Sequence, residues 1–493
     1  MDRRTALAVL SASAALALAG DYLFRASEPG IGLSVLVALF VAAALVVDGV
    51  RGGLERSAAP WLAAAFVFGA FLGLRDTPQL QAWNVLAVLG CAALALLAGR
   101  RLAIGVTPLE AYVRPAFRAA GSVLVAPFLA LRPSVGATPD SSTPLLPRIL
   151  LATVVTVPLL LLFGSLFTSA DPVFERLIRE MFAWDIERVA SHIVTIGVLG
   201  WLAAGYLIAS RTPDTLVAEG ERRRPFLGFL EVGVPLVALA LLFTAFVALQ
   251  FRYLFGGADL IRSTVGLTVA EYARRGFFEL IAASGLVIPL VVVADWLLRG
   301  SAASVLRRFR LIAALLLGLV VCIMASALGR LLLYYESFGL TTDRVLALAV
   351  MVWVGLTLAW TAATVLRGAP GRFPAGAVLG GLGVLATLNL VNPQAIVARA
   401  NIGRRTAGAS LDVTYLAKMS ADAVPTILAH VRSLPDDERC PLLTELARRY
   451  GAPDKVDWRA WNLSRQRARD ALDGRSTELR CTSENRGTDV VGD

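Results

Sequence analysis

Lysine is almost missing from this chain: Lys418 and Lys455 stand alone in a basic complement otherwise made of arginine. The formal charge of +10 therefore rests on arginine, a bias that reads as a GC-rich genome rather than a ligand. Basic loops beside apolar runs point first to membrane orientation and lipid headgroups, and nucleic acid is not expected as a partner. Histidine is as scarce: His192 lies in an apolar run and His430 in a polar one, which leaves no histidine-built metal site. The four cysteines show no zinc spacing. G-x-S-x-G, H-E-x-x-H and the phosphate-binding P-loop are absent, so the familiar hydrolase and NTPase chemistries have no handle. Charge is only 17% of the chain and is thin inside the apolar runs, which argues against a pump built on buried carboxylates. Internal repeats and matched broken helices are not evident, so the usual pointer to a secondary transporter is missing. No cofactor and no metal are expected.

What the sequence has instead is apolar length. With 57% hydrophobic residues and a mean hydropathy of +0.67 over 493 residues, the chain reads as a membrane protein. The expected fold is all-α, a polytopic transmembrane helix bundle of about 11 spans with a small helical C-terminal extramembrane domain. Met1–Gly20 is weighed as a cleaved signal peptide and favoured as a first span. The other runs are Gly30–Val50, Ala58–Leu74, Leu80–Leu97, Ile149–Phe167, Val189–Ala209, Val232–Leu249, Leu280–Leu298, Leu311–Leu333, Val345–Leu366 and Phe373–Val391. Residues 1–99 thus form an N-terminal four-span segment, 100–148 a Pro/Arg-rich linker, 149–391 a seven-span core, 392–472 the helical C-terminal domain and 473–493 a disordered tail. Within the linker, Ala119–Leu131 is short and proline-broken, and reads as interfacial rather than crossing.

Arginine is denser in the loops that share a side with the N-terminus, among them Arg100–Arg101, Arg222–Arg224 and Arg307–Arg310. The N-terminus is therefore expected to be cytoplasmic, and an odd number of spans sends the C-terminal domain outside. In that domain Ser420 is placed to cap a helix running to His430, and Asp436, Asp437 and Glu438 suit the first turn of another. Trp458, Trp461, Ala468 and Leu472 recur at helical spacing over Asp457–Leu472. Cys440 and Cys481 could pair as a disulfide if the region meets an oxidising compartment. Gly256-Gly257 looks like a turn out of the seventh span.

The polar residues nearest the membrane gather on the outer side. Read as a helix, Thr268–Glu279 puts Glu271, Arg275 and Glu279 on one face with Tyr272 beside them. With Arg262, Arg274, Arg330, Arg344, Tyr253, Tyr334 and Tyr335 they could grip an anionic group carried on an apolar or sugar body, such as a lipid headgroup or a lipid-linked intermediate. The plainer reading is interfacial anchoring at span ends. Arg330 lies nearest to true burial and calls for a partner, with Glu336 or Asp171 as counter-ion. Asp21, Glu28 and Asp171 are the candidates for a catalytic acid and base.

Several runs resemble a known family. Thr168-Ser-Ala-Asp-Pro-Val-Phe174, Gln250-Phe-Arg-Tyr-Leu-Phe-Gly256, Ala270–Leu280 and Tyr335–Arg344 are similar to those of a bacterial multi-pass family known as domain of unknown function 4173, a relative of the 4153 group. Asn392–Asn401 and Leu416–Pro425 resemble its post-membrane segment, although Ala400 departs from the aromatic expected before Asn401. The resemblance covers roughly Ile149–Pro425 and implies a bacterial inner-membrane protein without supplying a reaction. The leading expectation is a non-catalytic envelope scaffold or binding protein for a lipid, a cell-wall precursor or another envelope protein. A membrane enzyme of glycosyltransferase type acting on a lipid-linked substrate comes second, and a small-solute transporter third.

Overall fold

The computed structural model describes residues 19–20, 22–23, 28–50, 58–99, 156, 159–160, 162–181, 229–265, 277–406, 408–451 and 457–474. Among these the secondary structure is helical throughout, with no strand. Among the described residues, five helices are long and apolar enough to cross a membrane: Phe229–Gln250, Glu279–Leu298, Ala303–Leu332, Thr342–Thr364 and Pro370–Val391. This is a membrane protein with a helical C-terminal extension. The chain forms two compact units, one of residues 1–104, 339–350 and 378–493, the other of 105–338 and 351–377.

Among the described residues the first unit holds the apolar helices α1 (Ile31–Val50), α2 (Ala59–Leu74) and α3 (Pro78–Gly99). Pro60 sits in the first turn of α2, where its missing N–H costs nothing. Gly69 and Gly73 lie one turn apart on α2, and a Cβ on either would come within 2.5 Å of Val37 or 2.9 Å of Ser34. This small-residue face lets α1 and α2 approach at backbone distance, the close contact that substitutes for hydrophobic drive inside lipid. One apolar cluster joins Val41, Trp61, Leu62, Ala65, Cys91 and Ala95; a second joins Phe68, Leu80, Val88, Leu346, Ala349, Leu385 and Leu388.

The second unit holds helical residues 162–170, then α4 (Pro172–Met181), α5 (Phe229–Val265), α6 (Phe277–Leu298) and α7 (Ala303–Phe338). Arg308 stands 5.9 Å over the Phe229 ring at one end of α5, and Ser326 bonds Gln250 further along, so α5 and α7 run in the same direction. The helix continues through Gly256-Gly257 to Val265, where the sequence suggests a turn. Glycine weakens a helix by about 1 kcal/mol without ending it. Phe163, Phe167, Phe174, Phe243 and Phe246 form a buried aromatic block, with Phe167 and Phe246 stacked at 4.1 Å.

Helices α8 (Thr342–Thr364) and α9 (Phe373–Val391) each pass from one unit to the other. After them come α10 (Pro393–Thr406), α11 (Val413–Ala417), α12 (Val424–His430), α13 (Asp436–Tyr450) and α14 (Leu463–Asp473). Val397, Ile402, Leu416, Ile427, Leu428, Leu442, Leu446, Ala468 and Leu472 make their shared core. Two local expectations are corrected here. Ser420 does not cap α12, whose N-cap is Ala423 without a side-chain bond; its hydroxyl sits 3.3 Å from that of Thr77. Asp457–Leu472 is not one helix but a 3-10 turn, Trp458–Ala460, followed by α14. Asn462 sets the break, because its carboxamide oxygen caps Ser464 N at 2.9 Å and takes the chain into extended backbone.

Candidate functional site

In the first unit the α2–α3 connection, Arg75–Thr77, leaves backbone donors exposed between two apolar helices. Asp422, 3% exposed, meets them. One carboxylate oxygen accepts from Asp76 N, Thr77 N and Thr77 Oγ1, each at 2.8 Å; the other accepts from Ser464 Oγ and, at 3.4 Å, from Arg75 Nη1. Arg75 also donates from Nε to Asn389 O at 2.6 Å and from Nη2 to Leu390 O at 3.2 Å, tying the loop to the end of α9. Asn392 follows, held at φ 57 ahead of Pro393, and donates to Asp422 O at 2.8 Å. A residue before proline is steered away from the right-handed helix, so this is where α9 stops and α10 turns off.

Helix α14 closes the other side. Arg465, 8% exposed, donates from Nε to Asp76 Oδ1 at 2.7 Å, from Nη1 to Glu28 and Ala460 O, and from Nη2 to Pro29 O. Asn462 donates to Arg75 O at 2.9 Å, and Leu74 O, 2.9 Å from Ser464 Oγ, is the alternative acceptor for the single hydroxyl hydrogen that Asp422 takes. Burial pushes the Asp76 carboxyl above its ordinary value, with the Arg465 guanidinium pulling against it. A Cβ on Gly30 would fall 2.6 Å from the Ala460 carbonyl carbon, so only glycine lets this turn lie so close. A third contact comes from the α7–α8 turn: Asn401 accepts from Leu340 N and donates to Leu340 O, both at 2.8 Å, and Thr342 N donates to Tyr415 Oη at 2.8 Å. Nearby, burial raises the Tyr450 phenol to about 12 while it donates to Met419 O at 2.8 Å.

The terminal domain is thus clasped to three polar connections, Glu28–Gly30, Arg75–Thr77 and Gly339–Thr342. An open cleft of about 120 Å³ runs beside the clasp, lined by Arg75, Asn392, Asp422, Thr426, Ser464 and Arg467. Deeper in the same unit, Asn84 and Asn389 exchange amide hydrogen bonds at 2.9 and 2.8 Å, giving each buried side chain a partner between apolar helices.

The second unit has its own buried polar knot. Asp171, 1% exposed, breaks the helix at Ala170 and caps α4 through Val173 N at 2.8 Å and Phe174 N at 3.1 Å. Its other oxygen accepts from Arg330 Nη2 at 2.9 Å and Gln250 Nε2 at 2.7 Å. Arg330 donates further to Ala170 O and Gln250 Oε1, and Ser326 completes the ring at 3.0 Å. The aromatic block is continuous with it through Phe174. Of the two counter-ions the sequence offers Arg330, Asp171 is bonded to it.

The other expected site residues fall as follows. Glu28 bonds Arg465, and Arg344 turns back onto the Gly339 carbonyl; both belong to the first unit, whereas Asp171 and Arg330 belong to the second. Glu279 is half-buried in the first turn of α6, and Tyr335 half-buried in α7. Tyr253 and Arg262 lie on α5 and Tyr334 on α7, with their side chains outside the described set. Asp21, Glu271, Tyr272, Arg274 and Arg275 lie outside the described residues. Cys440 is disulfide-bonded, Cys91 and Cys322 are free, and Cys481 lies outside the described residues. No group of three or more metal-type ligands occurs among the described residues. Asp422, Asp76, Arg75, Ser464 and Arg465 escape sequence reasoning, and the one signal for them is that Asp422 lies in the Leu416–Pro425 run.

A family model described as Domain of unknown function (DUF4153) matches residues 62–430. The matched stretch carries Arg75–Thr77, Asp171, Gln250, Arg330, Asn389 and Asp422; Glu28, Asn462, Ser464 and Arg465 fall outside it. No curated protein and no solved structure matches the chain.

Proposed function

The chain belongs to the DUF4153 family, and from that premise we propose that it is a non-catalytic membrane scaffold, one that holds a prefolded helical domain against the bilayer for a lipid, a cell-wall precursor or an envelope protein to bind. The observation that carries this reading is the commitment of Asp171, the one candidate acid that is buried among the described residues. It spends both oxygens on Arg330, Gln250 and two backbone donors, whereas Glu28 gives one oxygen to Arg465 and is 63% exposed, which makes it the acid to test. A general acid or base needs a free oxygen within reach of substrate.

The finer assignment to the related 4173 family, a bacterial inner membrane, about 11 crossings and an extracytoplasmic terminal domain are part of the same proposal. Two observations support its topology. Contact of Glu28–Gly30, Arg75–Thr77 and Gly339–Thr342 with one domain requires an even number of crossings between each pair, as eleven spans without Ala119–Leu131 would give. The Cys440 disulfide suits an oxidising compartment.

Complementation of a deletion strain tests the functional reading. Glu28→Gln, which keeps an acceptor for Arg465, is expected to support growth or envelope integrity as the wild type does. Removal of residues 392–493 is expected to abolish it with the membrane part still accumulating. Loss of function in Glu28→Gln at normal protein level would point instead to catalysis.

A further inference from the structure

We propose that Trp458 and Tyr22 form a lipid-contact point by which the terminal domain is seated on the bilayer interface, at the glycerol and carbonyl level of the phospholipids. The domain buries its apolar residues in one core; past Val391 the exposed large hydrophobic side chains among the described residues are Ile396 and Trp458. Ile396 stands in the first turn of α10, immediately beyond the end of α9. Trp458 is 51% exposed and Tyr22 is 52% exposed, with ring centroids 6.3 Å apart.

Their level along the membrane normal follows from what they rest on. A Cβ on Gly32, in the first turn of α1, would lie 3.1 Å from Arg459 O and 3.5 Å from Leu23 O, and Ile31 N donates to Trp461 O at 2.7 Å. Both aromatic residues therefore flank the turn where the apolar run of α1 begins, while Leu39, Phe40, Leu45 and Val46 of the same helix are exposed further down. An amphipathic ring at the start of a lipid-facing helix gains by placing its body in the interface and its N–H or O–H toward headgroups.

The pair is also tied together through Arg459. The Arg459 guanidinium lies 4.6 Å over the Tyr22 ring, donates to Tyr22 O, and is neutralised by Asp457 at 2.6 Å. Its charge is thus already matched, and the surface offered to the membrane is aromatic rather than cationic. The partner is accordingly a phospholipid interface without preference for anionic headgroups.

The test uses the full chain, labelled with 5-fluorotryptophan, in nanodiscs of phosphatidylcholine alone and with phosphatidylglycerol added. The Trp458 resonance is assigned as the one missing from Trp458→Phe. Doxyl-labelled lipid is expected to broaden it several-fold more than a soluble gadolinium chelate does, equally in both lipid compositions. Greater broadening by the aqueous chelate would overturn the lipid contact, and lipid broadening confined to phosphatidylglycerol would overturn the aromatic basis for it. Because the readout is depth rather than growth, its failure is separate from failure of the scaffold reading.

Discussion

Asp422→Ala is expected to free the terminal domain while leaving its own core folded. The carboxylate is the acceptor for two backbone N–H groups, the Thr77 hydroxyl and the Ser464 hydroxyl, with Arg75 beside it. Alanine leaves these donors buried with no acceptor, and removing one member of a buried charged network costs about 3–5 kcal/mol. At about 1.4 kcal/mol per factor of ten, amide protection in α14 and the Arg75–Thr77 loop should fall by about a hundredfold or more. Protection in the α12–α13 core should fall much less. Asp422→Asn keeps the acceptor for Asp76 N, Thr77 N and the Thr77 hydroxyl and turns its Nδ2 toward Ser464 Oγ, which can accept while donating to Leu74 O, so it should recover much of the loss. Hydrogen exchange in detergent or nanodiscs reads all three regions at once, and unchanged α14 protection in Asp422→Ala would remove the clasp from the account.

The second large effect belongs to the knot in the other unit. Arg330→Met should destabilise by about 3–5 kcal/mol, because it strands the Asp171 carboxylate at 1% exposure. Adding Asp171→Asn should restore part of that loss. Asparagine still caps Val173 and Phe174 through its oxygen, and the charge that arginine balanced is gone. Gln250 can flip its amide to accept from the new Nδ2, with Ser326 accepting in turn. The double variant is therefore expected to be more stable than Arg330→Met alone, measured as the denaturant midpoint of purified protein. A double variant at or below the single would mean that the cost lies in lost packing of the arginine stem and not in a stranded charge.

Part of this is legible in the sequence. An arginine deep in an apolar run demands a partner in lipid whatever the fold, and so Arg330 signals its knot. The apolar runs announce helices because only a helix or a closed barrel satisfies its backbone in lipid. Asp422 carries no such mark. It sits in a polar region where a carboxylate is unremarked, and its donors come from segments far along the chain. Arg465 likewise reads as one arginine among many until the fold sets it against Asp76, Glu28 and Pro29. The break at Asn462 is hidden because Trp458, Trp461, Ala468 and Leu472 keep helical spacing across a cap. Ala468 and Leu472 of that set are buried but Trp458 is 51% exposed, so apolar periodicity does not by itself report burial.

The account stands on three connections and the terminal domain sharing one membrane surface. Single cysteines at Asp343, Arg467 and Arg307, all exposed positions, would be reacted with a membrane-impermeant maleimide in spheroplasts and in inverted vesicles. The prediction is that positions 343 and 467 label in the same preparation and position 307, at the other end of α7, labels in the opposite one. Labelling of 343 and 467 from opposite sides would contradict it.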